Sequence, residues 1–129
     1  MRRTVAGVFL GTVLVSTPMQ AHHSFIAQFD PKQPITLTGP VTKVEWANPH
    51  IYFYLDVKDA AGAIVNWAIE MGNPLALIRL GWTRNDMKAG DVVTVEGSLA
   101  RDGSKLANAK AVLLGGKKMF AGSSQATTP

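Results

Sequence analysis

The sequence contains no cysteine among its 129 residues. Structural disulfides, thiolate metal sites and a lipid-modified cysteine anchor are therefore excluded. Any metal ion would have to be bound by nitrogen, oxygen or thioether sulfur. A long hydrophobic run is missing as well, because the apolar stretch from Val5 to Val15 covers 11 residues, far fewer than the ~20 that a membrane-spanning helix needs.

The first 21 residues are typical of a secretory signal peptide. Arg2 and Arg3 form a positive start, the apolar stretch follows, and a short polar segment ends at the small residue Ala21. We predict a signal peptide over 1–21 and a periplasmic or secreted mature protein. Met19 is bulkier than the usual residue at its position, which leaves the cleavage site open by a residue or more. A membrane anchor is the alternative, and the short apolar stretch disfavours it.

Charge is modest once the signal peptide is set aside. The chain has 13 Lys and Arg against 9 Asp and Glu, and removal of Arg2 and Arg3 lowers the net charge from +4 to about +2. Much of the basic character therefore belongs to the signal peptide and to the lysine-rich end of the chain. We expect one small domain without a transmembrane anchor, and no nucleic-acid partner.

The rest of the chain has the pattern of short strands. An irregular arm is predicted over 22–34, after which hydrophobic residues alternate with polar ones in five segments. The first strand changes phase near Thr42 or Lys43, which predicts a β-bulge there. Asn73, Pro74 and Gly81 mark the beginning and end of one short helix after the third strand.

This order predicts a mainly β fold, a five-stranded OB-like barrel with one short helix between strands 3 and 4. The alternative is an open α+β sheet. We place the barrel at 35–122 and a disordered tail at 123–129. OB barrels bind ligands on the face of strands 2 and 3 and with the loop between strands 1 and 2, which here is Ala47-Asn48-Pro49-His50. This assignment of a binding face is an analogy at the level of the fold.

Several short segments resemble a group of small secreted bacterial proteins that carry a domain of unknown function. The similarity covers nearly all of the predicted mature chain. It depends on the following segments taken in this order: Ala21-His22-His23-Ser24-Phe25, Asn48-Pro49-His50, Asn66-Trp67, Gly81-Trp82 and Phe120-Ala121-Gly122. The resemblance implies secretion and a small β-rich domain, and it assigns no reaction.

The three histidines predict a metal site. Cleavage after Ala21 would give His22 both a free amine and an imidazole, and with the imidazole of His50 these make three nitrogen ligands. The arrangement resembles the histidine brace of secreted copper proteins, so copper is the predicted cofactor. His23 is a weaker ligand, because adjacent residues of an extended arm point to opposite faces. The alternative is that His22 and His23 are solvated terminal residues and His50 caps a turn.

Other polar residues lie on the strands that would carry the binding face. Glu70 lies across from Tyr52 and Tyr54 and is a weaker candidate ligand or a proton acceptor. Tyr52 and Tyr54, together with Asn66, form a candidate ligand face, since tyrosine rings stack on sugars or bases. The alternative for Glu70 is a solvated position on the sheet, and the alternative for Tyr52 and Tyr54 is packing of partly exposed strand residues.

No group of residues with catalytic spacing is recognisable, so we do not expect an enzyme. We predict a periplasmic binding protein that binds or delivers copper through the mature N-terminal histidine. The alternative is a metal-free accessory domain of the cell envelope that binds a peptide, a glycan or a partner protein. The partners expected on these grounds are an envelope protein or a metal donor or acceptor.

Overall fold

The computed structural model describes residues 19–123, with side chains described from Ser24 onward. The predicted signal peptide up to position 18 and residues 124–129 of the predicted tail lie outside the described residues. The helices and strands follow in the order α1 (Met19–Gln28), β1 (Phe29–Glu45), β2 (Tyr52–Lys58), β3 (Ile64–Glu70), α2 (Pro74–Arg79), β4 (Val92–Ala100), β5 (Leu106–Leu114) and β6 (Lys117–Phe120). Neither helix is long and apolar enough to cross a membrane.

Five strands form a closed ring, which confirms the predicted OB-like barrel. β1 pairs with β2 at one end and β4 at the other, β2 pairs with β3, and β4 pairs with β5, all antiparallel. A parallel pairing of β3 with β5 closes the ring. The alternative of an open sheet is thereby excluded. The helix α2 lies between β3 and β4, as predicted.

The long strand β1 serves two neighbours because it contains a bulge. Val41 pairs with Leu55 and Lys43 with Tyr54, so Thr42 is an extra residue without a partner opposite. The extra residue changes which side chains face the core. Val41 is buried in the core, and Val44 packs against it from the other phase. The predicted shift near Thr42 or Lys43 is confirmed.

The helix α2 begins and ends where its capping residues predict. The side chain of Asn73 accepts a hydrogen bond of 2.8 Å from the amide of Ala76, and Pro74 is the first helical residue. Gly81, just beyond the helix, has φ of +97°, a conformation that glycine adopts without steric cost.

The segment expected to be an irregular arm, 22–34, is regular instead. Its first part belongs to α1, and β1 begins at Phe29. Phe25 and Phe29 are four residues apart and their rings stack at 5.7 Å between centroids, so they bury apolar surface on one side of the segment. Between Asp30 and Pro34 the pairing with β4 is interrupted, which accommodates the prolines that suggested irregularity.

A sixth strand extends the sheet beyond the predicted five. β6 forms a hairpin with β5 through Gly115 and Gly116, whose φ values are +58° and +79°. Two consecutive residues with positive φ are required by the tight turn that suits a β-hairpin, and glycine supplies them. Phe120 of this strand is half-exposed, whereas Met119 is buried.

The buried side chains form two separate clusters. The larger fills the barrel and includes Trp67 and Trp82. Trp82 also donates a hydrogen bond of 2.9 Å from Nε1 to the carbonyl oxygen of Phe120. The smaller cluster, which we call the helix cluster, contains Phe25, Phe29 and Ala100 with Leu106 packed against it. The helix α1 is therefore attached to the barrel by its own apolar contacts.

The close approach of β1 and β2 generates a test of this packing. A Cβ atom on Gly39 would overlap the backbone carbonyl oxygen of Asp56, so the two strands would have to separate. We expect Gly39→Ala to lower the free energy of unfolding by about 1–3 kcal/mol, the usual cost of overpacking, as measured by urea denaturation.

Thr36→Ala, at an exposed position of the same strand, is the matched control and should change the free energy of unfolding by less than about 0.5 kcal/mol. Equal urea midpoints for Gly39→Ala and the wild-type protein would contradict the close contact between these strands.

Candidate functional site

An open pocket lies at one end of the barrel, between the helix α1 and the ends of β2 and β3. Its wall includes Ser24, Phe25, Gln28, Phe29, His50, Tyr52, Glu70, Met71, Gly72, Asn73, Asn108, Gly122 and Ser123. The pocket brings together three residues predicted from the sequence, which are His50, Tyr52 and Glu70. It also brings in Ser24, which lies two residues after His22.

Glu70 is the polar centre of the pocket and is only 6% exposed. Its Oε1 accepts a hydrogen bond from Nδ1 of His50 at 3.0 Å, and its Oε2 accepts one from the hydroxyl of Tyr52 at 2.7 Å. The side-chain amide of Asn108 lies 3.5 Å from Oε1. A buried carboxylate is costly unless it is hydrogen-bonded, and here donors reach both oxygens.

Strand register places these partners beside Glu70. Tyr52 is directly opposite Glu70 in the pairing of β2 with β3, and Asn108 is opposite Glu70 in the parallel pairing of β3 with β5. His50 precedes β2, and the neighbouring backbone bonds tie it down, since the amide of Ile51 donates to Gly72 at 2.9 Å. Glu70 and its partners are therefore held in place by the paired strands β2, β3 and β5.

The Tyr52 hydroxyl is held in its neutral form. Burial raises the pKa of Tyr52 well above the ordinary value, and the hydrogen bond to Glu70 raises this pKa further because ionisation would put two negative charges side by side. The hydroxyl consequently remains a hydrogen-bond donor to the carboxylate.

His50 is the exposed member of the cluster, with 48% of its side chain accessible. When Nδ1 carries the proton and donates it to Glu70, the lone pair of the neutral ring is on Nε2, the nitrogen on the other side of the ring. A neutral imidazole nitrogen is a common metal ligand. Among residues 24–123 no three His, Asp or Glu side chains are grouped closely enough to hold a metal ion, and the side chains of His22 and His23 lie outside the described part.

The predicted ligand face of Tyr52, Tyr54 and Asn66 is divided in the structure. Tyr52 belongs to the pocket, whereas Tyr54 and Asn66 lie on the outer surface of the barrel. Asn66 donates a hydrogen bond of 2.9 Å to Oδ1 of Asp56. This contact makes Asn66 part of a polar surface shared by β2 and β3.

Tyr54 lies beside an ion pair on the same outer surface. Its hydroxyl donates to Oε2 of Glu45 at 3.3 Å, and Nζ of Lys43 lies 5.8 Å from its ring centroid. Lys43 and Glu45 form an ion pair at 2.6 Å. The hydrogen bond between them raises the pKa of Lys43 and lowers that of Glu45.

Asn108 is the pocket residue that sequence reasoning missed. It is 3% exposed and lies between Ala107 and Ala109 on β5. A polar amide inside such a run was the available signal, because a buried amide needs hydrogen-bond partners. Its partner, Glu70, is distant in sequence, so the pair itself was not evident.

Comparison with solved structures finds a protein with a similar fold. The chain is similar to Rim1, a mitochondrial single-stranded DNA binding protein from S. cerevisiae, with 14% sequence identity and a TM-score of 0.49 over 64% of this chain and 92% of that one. This finding stands against our expectation of no nucleic-acid partner, since the neighbour is named as a single-stranded DNA binding protein. The likeness concerns the fold and assigns no partner to this chain.

Sequence comparison identifies the family. No curated protein matches the chain. Residues 11–109 match the profile of a family of unknown function, DUF6152. This match covers the helix α1, the strands β1 to β4, the first residues of β5, and eleven of the thirteen pocket residues, His50 and Glu70 among them. The protein therefore belongs to the DUF6152 family.

Proposed function

We propose that this protein is a periplasmic binding protein that holds a copper ion at the pocket of His50 and Glu70, with His22 supplying further nitrogen ligands. The observation that carries the proposal is the position of Ser24 on the wall of the pocket that contains His50. The third residue of the predicted mature chain and the loop histidine thus line the same pocket.

The imidazole of His50 supports this function because one ring nitrogen contacts Glu70 and the other lies on the opposite side of the ring. Nδ1 is bonded to Glu70, and the lone pair on Nε2 can bind a metal ion. Hydrogen bonding of the second ring nitrogen to a carboxylate is the usual environment of a metal-bound histidine. The buried negative charge of Glu70 also favours a cation at the pocket.

The backbone of the helix α1 supports a contribution from His22. Position 22 precedes Phe25 by one helical turn, and Phe25 lines the pocket. If the signal peptide is cleaved after Ala21, the new amine belongs to this residue, so its amine and imidazole can chelate one ion. Position 23 is about 100° further round a helix, which keeps His23 the weaker candidate ligand.

Copper is the metal that best suits such nitrogen ligands. The chain has no cysteine to select a softer thiolate site. Affinity for nitrogen ligands rises along the first-row divalent metals to a maximum at copper. Imidazole also binds zinc and nickel, so competition between these metals belongs to the test.

The free terminal amine gives the first test. We expect the mature protein that begins at His22 to bind Cu(II) most tightly. A variant with one added Gly before His22 should bind it at least about 10- to 100-fold more weakly, since the loss of a group that only hydrogen-bonds to a ligand already costs that much. His50→Ala should cause a comparable loss. Calorimetric titration gives the three affinities.

Binding should also weaken below about pH 6, where the imidazoles and the amine, with reference pKa values of about 6.5 and 7.7–8.0, take up protons that compete with the metal. His23→Ala is the matched control, expected to remain close to the mature protein. Equal affinity in the mature, Gly-extended and His50→Ala proteins would mean adventitious binding by surface histidines and would remove the proposal.

A second candidate function is binding of single-stranded nucleic acid on the outer surface of β1 and β2. The observation that favours it is Tyr54, a partly exposed aromatic ring with the cationic Lys43 beside it. Proteins that bind single strands combine aromatic rings, on which bases stack, with positive charges near the phosphates.

Fluorescence anisotropy with a labelled oligothymidine tests this candidate. We expect Tyr54→Ala to weaken binding by about 5- to 150-fold, which corresponds to the ~1–3 kcal/mol of stacking per base. Tyr54→Phe keeps the ring and should bind like the wild-type protein. If the wild-type protein fails to bind the oligonucleotide at low salt, where phosphate contacts are strongest, this candidate is wrong.

A further inference from the structure

We propose that Glu70 is a positioning residue, which acts on the copper ion through His50 and does not bind the ion itself. In this role it fixes the proton of His50 on Nδ1 and so reserves Nε2 for the metal. The part that concerns copper rests on the proposed function, whereas the part that concerns the imidazole proton does not require a metal.

The oxygens of Glu70 are already engaged within the protein. Oε1 receives the hydrogen bonds from His50 and Asn108, at 3.0 and 3.5 Å, and Oε2 receives the hydrogen bond from Tyr52 at 2.7 Å. A metal bound by either oxygen would compete with these donors. Since the carboxylate is buried, a broken bond there would leave a polar group without water to replace its partner.

The accessibility of the two side chains points the same way. The side chain of Glu70 is 7% accessible and that of His50 is 48% accessible, so the imidazole is the more accessible of these two groups in the pocket wall. A buried carboxylate that contacts a metal-binding histidine orients the ring without binding the metal itself. Its burial keeps competing water away from the hydrogen bond to Nδ1.

Two neighbouring strands hold Glu70 in this orientation. Tyr52 on β2 and Asn108 on β5 lie directly opposite Glu70 in the two pairings of β3. The hydroxyl of Tyr52 donates to Oε2 at 2.7 Å and the amide of Asn108 lies 3.5 Å from Oε1. Because β2 and β5 fix the carboxylate from both sides, Oε1 is a hydrogen-bond acceptor at a defined position for the Nδ1 proton of His50.

The chemical consequence is a choice between the two nitrogens of one ring. Which nitrogen carries the proton is set by the hydrogen bond that the ring makes. A carboxylate at Nδ1 holds the proton there, increases the basicity of Nε2 and orients the ring. A copper ion that approaches from the open pocket then finds a lone pair without any prior rearrangement of the imidazole.

The first part of the test uses the mature protein without metal. At about pH 8, above the reference histidine pKa of ~6.5, ¹H–¹⁵N spectra of the imidazoles should show the proton of His50 on Nδ1, with the signal assigned by its loss in His50→Ala. Glu70→Gln retains an oxygen acceptor and should keep this tautomer in part. In Glu70→Ala the tautomer should shift toward Nε2–H.

The second part measures copper. Glu70→Ala should weaken Cu(II) binding by about 10- to 100-fold, the range for loss of a group that hydrogen-bonds to a metal ligand. Glu70→Gln should recover part of that loss. The electron paramagnetic resonance spectrum of bound Cu(II) should keep the same nitrogen couplings and the same axial parameters in both variants, because the set of ligand atoms does not change. Tyr52→Phe, which removes only the bond to Oε2, should cause a smaller loss and serves if Glu70→Ala does not fold.

The possible results separate this inference from the proposed function. A spectrum of Glu70→Gln with altered axial parameters would make Glu70 a direct ligand and overturn the inference. Undiminished affinity in every Glu70 variant would overturn it while leaving copper binding intact. If the wild-type protein binds no copper, the proposed function and the copper part fall together. An Nε2–H tautomer in the metal-free wild-type protein would overturn the inference whatever the copper result.

Discussion

The parallel pairing of β3 with β5 turns an antiparallel sheet into a closed barrel, because it joins the edge strand β3 to the first part of β5, which β6 does not cover. The pairing runs from Ala68, opposite Leu106, to Glu70, opposite Asn108. Edges with unpaired backbone groups attract other chains, and closure between β3 and β5 pairs these backbone groups along the seam. The seam ends in a polar pair, and that pair forms the base of the pocket. The same pairing thus closes the barrel and forms the base of the pocket.

The burial of Glu70 explains why the pocket has a defined shape. A hydrogen-bonded carboxylate adds little net stability, but one deprived of its partners is strongly destabilising. Tyr52, Asn108 and His50 approach it from β2, from β5 and from the loop between β1 and β2. Each of these segments is therefore constrained by the same carboxylate. The side chain of the loop histidine acquires a preferred orientation from this arrangement.

Local sequence signals predicted most of the barrel. Alternation of apolar residues identified the strands β2 to β5, capping residues identified α2, and the change of phase identified the bulge at Thr42, because each signal depends on neighbours along the chain. The spacing of Phe25 and Phe29 and the pair Gly115-Gly116 would also have indicated α1 and β6, but Pro31 and the small polar residues near the end of the chain outweighed them. The sequence placed Glu70 opposite Tyr52 but did not reveal Asn108, since a parallel contact between distant strands leaves no local pattern.

The helix cluster of Phe25, Phe29 and Ala100 is separate from the barrel core. A small group of buried side chains opens more often than a closed sheet does, because less apolar surface must be exposed. Of these side chains only Phe25 belongs to α1, whereas Phe29 lies on β1 and Ala100 on β4. The apolar attachment of this wall of the pocket to the strands is therefore the burial of one aromatic ring, and a bound molecule that touched both walls would strengthen it.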